Sequence, residues 1–148
     1  TDILKIINKN KISSNNISLE ITETLLMSSL DKMNSIISEL KKSDIHIALD
    51  DFGKGYSSLN YLSNLPVDVI KVDKSLVRNI ITSPKQLLIL KSIIEMAEIN
   101  NMKVVVEGIE EEEEQKKVAS FGVDYIQGFY YAKPMPEKDL IELLESKK

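Results

Sequence analysis

The chain has 148 residues, 43% hydrophobic and 28% charged, a profile that suits one soluble globular domain with a substantial core and excludes a disordered tail. A formal charge of -4 argues against a surface that holds a nucleic acid polymer, and the absence of cysteine removes disulfides and thiolate metal sites. Apolar runs are short and broken by charges, so neither a signal peptide nor a spanning segment is expected.

Taken in order, Ile3, Leu4, Ile6 and Ile7 suggest the end of an amphipathic helix, followed by a polar loop over 8–16. Ile17-Ser18-Leu19-Glu20-Ile21 alternates apolar and polar residues as a strand does, which sets Glu20 near a strand's C-terminal end. Residues 22–24 lead away. Ser29 is placed to cap a helix in which Leu30, Met33, Ile36, Ile37 and Leu40 recur at helical spacing, with Lys41 and Lys42 against its negative end.

A strand over 45–49 then runs into Asp50-Asp51-Phe52-Gly53-Lys54-Gly55. Strand alternation would send Asp50 and Asp51 to opposite faces, so they serve one site only where the pleat ends between them, and Gly53 and Gly55 permit such a turn. Adjacent carboxylates repel unless a cation, a shared proton or water offsets them, and Lys54 is the cationic neighbour. A divalent metal site and a solvated surface turn both meet that condition.

Leu59, Leu62 and Leu65 predict a short helix stopped by Pro66, and a strand over 67–72 places Lys71 and Asp73 on one face. Ser83-Pro84 opens a helix to about Asn100, striped by Leu87, Leu90, Ile94 and Ala97. The strand over 102–106 suits burial on both faces and ends in Glu107-Gly108. A helix begins over 110–115 with Val118 and Ala119 inward, a short strand over 123–126 ends in Gln127-Gly128, and Pro136 opens a last helix carrying Leu140, Ile141 and Leu144. Roughly five β/α units in alternation predict a parallel sheet with helices packed over it.

Glu20, the pair Asp50 and Asp51, Lys71, Glu107 and Gln127 each stand where a predicted strand finishes. In parallel β/α architectures those ends gather on one rim, where ligands sit. Hard oxygen donors without histidine or cysteine suit Mg²⁺ or Mn²⁺, and a carboxylate-rich site of this kind serves phosphoester hydrolysis with two metals. Other features read as structural. His46 alternates with Ile45 and Ile47 as a non-catalytic strand residue, and the acids over 110–114 suit the first turn of a helix. Gly53 and Gly55 lack the third glycine of a dinucleotide loop, and Met33 and Met96 fall in helical stripes. Tyr56, Tyr61, Phe129, Tyr130 and Tyr131 suit either stacking on a base or packing at a barrel rim, and none is assigned to ligand binding.

Five stretches in register resemble the ordered motifs of the EAL-type cyclic di-GMP phosphodiesterases. They are Leu19-Glu20-Ile21-Thr22-Glu23, Asp50-Asp51-Phe52-Gly53 with Gly55-Tyr56-Ser57-Ser58-Leu59, Ile70-Lys71-Val72-Asp73, Val106-Glu107-Gly108-Ile109-Glu110, and Gln127-Gly128-Phe129 through Lys133-Pro134. The resemblance implies a modified TIM barrel that hydrolyses cyclic di-GMP to linear pGpG with Mg²⁺ or Mn²⁺. It implies that Glu20 and Asp50 ligate metal, with Asp50 bridging two ions and Asp51 holding the second. Lys71 positions the attacking water, and Glu107 is the general base or a further metal ligand. Gln127 supports the site, Glu23 steadies the loop after the aspartate pair, and Glu110 borders the substrate.

Two departures accompany it. The Glu-Ala-Leu motif itself and an asparagine ligand belong before the first strand seen here, and a full barrel has eight strands in about 250 residues, so a chain with roughly five is expected to be the C-terminal part of such a domain. Lys54 stands where the family usually has a small or neutral residue. The expectation is a cytoplasmic domain, in a parent that other segments can anchor to a membrane. Alone the chain is expected to be inactive, and to self-associate or pair with the missing N-terminal part. A non-catalytic cyclic di-GMP receptor or regulatory interaction domain is the alternative.

Overall fold

The structure, a computed structural model, describes residues 2–54, 62 and 65–146. The strands are β1 (Ser18–Thr22), β2 (His46–Phe52), β3 (Val69–Val72), β4 (Lys103–Val106) and β5 (Tyr125–Ile126). The helices are α1 (Asp2–Lys9), α2 (Glu23–Ser28), α3 (Leu30–Lys41), α4 (Lys74–Val77), α5 (Pro84–Ile99), α6 (Glu112–Ala119) and α7 (Glu137–Ser146). All neighbouring strands pair in parallel, in the order β1-β2-β3-β4-β5. A doubly wound sheet reverses its strand order at a switch point; an order that follows the sequence without reversal is that of a barrel wall.

Alternation divides the sheet into two faces. Ile47, Leu49, Ile70, Val72, Val104 and Val106 are buried, in one cluster with Ile37 and Leu40 of α3, Leu90, Ile93, Ile94 and Ala97 of α5, and Val118 of α6. At about 25 cal/mol per Å² of apolar area, this face supplies most of the folding drive. The other face carries Glu20, Ala48, Asp50, Val69, Lys71 and Val105, set side by side by the pairings Glu20 with Ala48, Ala48 with Val69, and Lys71 with Val105.

Several boundaries differ from the sequence reading. The second strand continues through Asp50 and Asp51 to Phe52, and the third and fifth are shorter than expected, starting at Val69 and Tyr125. Two short helices were not expected. Thr22 caps α2 by accepting from the Leu25 N–H, and Asp73 caps α4 by accepting from the Ser75 N–H at 2.9 Å. The helix expected around Leu59 falls mostly outside the described residues; Leu62 and Leu65 are buried. The apolar stripe of α7 is uncovered, with Leu140, Ile141 and Leu144 all exposed.

Candidate active site

The rim is assembled by the backbone before any side chain contributes. Beyond the last ladder residues, the Asp73 N–H donates to Phe52 O at 3.1 Å, the Glu107 N–H to Val72 O at 3.0 Å and the Gln127 N–H to Val106 O at 2.8 Å. Each residue after a strand is thereby fastened to the end of the strand before it.

The aspartate pair is resolved by a bulge. Leu49 pairs with Ile70 and Phe52 with Val72, so β2 spends three steps where β3 spends two. Asp51 takes φ +58, a left-handed conformation that aspartate tolerates. The extra residue lets Asp50 face Lys71 while Phe52 returns to the core, 1% exposed. In a regular strand Asp51 would share the core face with Leu49, at a large desolvation cost. Gly53 follows with φ +98, and a Cβ there would come within 2.1 Å of Leu76 Cδ1.

Lys71 is the hub. Its Nζ lies 2.9 Å from Glu20 Oε1, 2.9 Å from Glu107 Oε1 and 3.1 Å from Asp50 Oδ1, and its side chain is 11% exposed. Burial alone would discharge the ammonium, but Glu20, Glu107 and Asp50 outweigh it and hold its pKa above the ordinary lysine range. Lys71 is therefore a donor and a fixed positive charge at physiological pH, not a base. Asp50 Oδ1 is buried and, among the described residues, accepts no hydrogen bond, although the Lys71 charge is close by.

Glu23 lies beneath this rim, 4% exposed, and its Oε2 accepts from the Gly53 N–H at 3.1 Å. Removing the carboxylate leaves a buried amide without its acceptor, worth about 1–3 kcal/mol. In Glu23→Ala we expect the Gly53 amide to exchange about tenfold faster or more by hydrogen-exchange NMR, while amides of β4 keep their protection; unchanged Gly53 exchange would show that the turn is held by other contacts.

Asp51, Lys54, Asp73, Glu107, Glu110, Gln127 and Phe129 line a cleft of about 330 Å³ beside the hub. Its far wall depends on Gly128, where a Cβ would stand 2.0 Å from Ile109 O and 2.5 Å from Ile109 N. The same segments are stitched by Ile109 N–H to Gln127 O and Tyr130 N–H to Ile109 O. Gly128→Ala is expected to lower the unfolding free energy by about 2 kcal/mol or more in urea titration. A loss below about 0.5 kcal/mol would mean the loop yields without cost.

The structure thus brings Glu20, Asp50, Lys71 and Glu107 into mutual contact and sets Asp51, Gln127 and Glu110 around the adjoining cleft. His46 lies elsewhere, at the first position of β2, with Nδ1 3.8 Å from Asp68 Oδ2. The acidic run opens α6, where Glu111 and Glu114 form a capping box. Three cleft residues escaped the sequence reading as site residues. Phe129, given no ligand-binding role by the sequence, is 54% exposed in the cleft, and its position directly after Gln127-Gly128 is the available signal. Asp73 and Lys54 pair across it, with Lys54 Nζ 3.2 Å from Asp73 Oδ2. Burial raises the Asp73 pKa, but the Ser75 hydrogen bonds and Lys54 outweigh it and leave the carboxyl below its usual range.

The donor set suits a hard divalent cation in kind: carboxylate oxygens, one of them buried and without a hydrogen bond. In number it is a partial set. Among the described residues no three acidic, histidine or cysteine side chains gather as a chelating group, and Lys71 supplies the charge between the acids.

Comparisons with known proteins bear on the family and the fold. The chain is 41% identical over 128 residues to the cyclic di-GMP phosphodiesterase PdeA of Borreliella burgdorferi, covering 86% of this chain and 19% of that protein. The EAL domain of Mycobacterium smegmatis DcpA superposes with a TM-score of 0.88 at 30% identity, covering 97% of this chain and 65% of that one. Klebsiella pneumoniae BlrP1, solved with cyclic di-GMP and manganese or calcium, superposes at 0.84 with 32% identity, over 89% of this chain and 34% of that one. The chain therefore spans about a fifth of the length of the curated relative and about two-thirds or less of the solved ones. These neighbours carry the TIM-barrel-type fold to which the sequential parallel sheet corresponds. The family model described as EAL domain matches residues 1–134, and with the rim carboxylates and their lysine in register on that wall, the chain belongs to the EAL domain family.

Proposed function

We propose that residues 1–148 form the C-terminal portion of a cyclic di-GMP phosphodiesterase domain and contribute most of its catalytic rim. The observation that carries this reading is Lys71 held by Glu20, Asp50 and Glu107 at the C-terminal ends of separate strands. Glu20, Asp50 and Asp51 are the residues that would hold divalent cations, Mg²⁺ or Mn²⁺. A cation there neutralises phosphodiester charge and favours attack by water.

This chain's own groups do the rest. Lys71, a permanent donor, orients the attacking water, and Glu107 accepts its proton. The water oxygen forms a bond to phosphorus as the bond to the ribose 3′ oxygen breaks, and that oxygen takes a proton from solvent, which the Glu107 carboxyl replaces in turn, and leaves as a hydroxyl, opening the ring to linear pGpG. Gln127, Glu110 and Phe129 border the cleft where a guanine lies, and the Glu23 contact to Gly53 fixes the turn that carries Asp51.

The remaining barrel is supplied by an N-terminal portion or by a second copy. Among the described residues β1 and β5 each pair on one side only, and α7 leaves Leu140, Ile141 and Leu144 exposed for a neighbour. Alone, the 148 residues are inactive because further ligands lie outside them. We place the domain in the cytoplasm; among the described residues no helix is long and apolar enough to cross a membrane.

The test is product analysis. The natural full-length protein, given cyclic di-GMP and Mg²⁺ or Mn²⁺, should release pGpG. A second reading, a non-catalytic receptor, draws on the ammonium that occupies the centre of the three carboxylates. Nucleotide bound and recovered intact would establish that reading instead.

A further inference from the structure

Lys54 is tied to two acids. Its Nζ lies 2.5 Å from Asp51 Oδ1 and 3.2 Å from Asp73 Oδ2. Neither acid is free to follow it: Asp51 is fixed by the bulge in β2, and Asp73 is 4% exposed and caps α4. The lysine sits only three residues after Asp51, so its charge is present at that carboxylate at a high effective concentration that no chelator or dialysis removes. On the reading that Asp51 helps hold a divalent cation, we infer that Lys54 is a tethered counter-cation standing in the place of the second ion, and that filling this position requires its displacement from Asp51.

The geometry provides for that displacement. Asp73 is a second anchor for the ammonium on the other side of the cleft, so Lys54 can release Asp51 without becoming unpaired. Asp50 is paired with Lys71 and not with Lys54, so the first position is untouched by the exchange. Lys71 faces both positions through Asp50, whereas Lys54 opposes the Asp51 position alone, which is expected to require the higher cation concentration. A lysine that served only to staple the turn to α4 would act in the opposite direction, since removing it would loosen Asp51 and weaken the site.

The direction of one titration separates these roles. Mn²⁺ binding to the natural full-length protein, without nucleotide, is followed by electron paramagnetic resonance in wild type, Lys54→Met, Lys54→Arg and Asp50→Asn. Lys54→Met keeps the stem and removes the charge; it should tighten the weaker class of Mn²⁺ by about five- to tenfold, the scale expected for a half-exposed ion pair with two acids. Lys54→Arg should resemble wild type. Unchanged or weaker Mn²⁺ binding in Lys54→Met, with the tighter class still lost in Asp50→Asn, overturns the inference and leaves the functional reading standing. Absence of any Asp50-dependent Mn²⁺ binding overturns the functional reading and the inference with it.

Discussion

Asp50→Asn in the full-length protein should lower the rate of pGpG formation by about a thousandfold or more while leaving the fold in place. Asparagine is nearly isosteric, so β2 keeps its bulge and Phe52 its place in the core. What disappears is the carboxylate charge on an oxygen that faces the Lys71 ammonium at 3.1 Å and that a cation at this position would need. Lys71 would still be held by Glu20 and Glu107, each at 2.9 Å, so the rim does not collapse. Steady-state assay of pGpG by chromatography, beside a urea unfolding curve, checks both halves of the statement. Activity within tenfold of wild type would remove Asp50 from the chemistry.

Lys71→Met should be the most damaging single change to stability among the rim residues. It leaves Glu20, Asp50 and Glu107 facing one another with no cation between them, two of them largely buried. Breaking a buried ion pair from one side costs about 3–5 kcal/mol, and because Glu20 is 51% exposed and partly relieved by water, a loss of about 2–4 kcal/mol is expected here. Methionine fills the space of the lysine stem, so the loss reports charge and not a cavity. Urea unfolding in the presence of a chelator measures it directly. Adding Mn²⁺ should recover part of the stability without restoring turnover, because a cation can relieve the repulsion but cannot orient the water. A variant as stable as wild type in chelator would show that the three acids are already separated or protonated.

The two changes differ in kind because the rim is built from two different balances. Around Lys71 a single ammonium offsets three acids, two from strands β1 and β2 and one from the residue after β4. Around Lys54 a single ammonium offsets two acids, and its own side chain is half exposed. The first balance holds the strand ends together, so disturbing it is felt in stability. The second is local to one turn, so disturbing it is felt in cation affinity.

Much of this was legible in the chain because period and position coincide. The alternation through Glu20, the run of valines before Glu107 and the apolar strand around Lys71 place each group at a strand end by arithmetic alone, and parallel pairing makes those ends a rim. The need for the pleat to break between Asp50 and Asp51 was also readable, since two successive strand residues cannot share a face. What produced the break was not. A bulge is set by the pairing of β2 with β3, a long-range fact, and it carries the strand through both aspartates to Phe52, up to the glycine-rich turn.

The short helices were hidden for a related reason. α2 and α4 have six and four residues, too few for an apolar period to emerge, and only their caps, Thr22 and Asp73, announce them. Missing α4 concealed the role of Asp73 as a fixed anchor, and with it the second partner of Lys54. The exposure of the α7 stripe and of Phe129 is not legible in the chain, because nothing local in the sequence distinguishes a face awaiting a neighbour from one already covered.

The most direct test of the account is the position of Mn²⁺ in crystals of the natural full-length protein grown with cyclic di-GMP. Anomalous scattering should place an ion within coordinating distance of Glu20 and Asp50, with the scissile phosphate against it and Lys71 turned toward the attacking side. Nucleotide bound in the cleft with no ion at Asp50, or an ion at a site that excludes both carboxylates, would contradict the assignment of this rim as a phosphodiesterase centre.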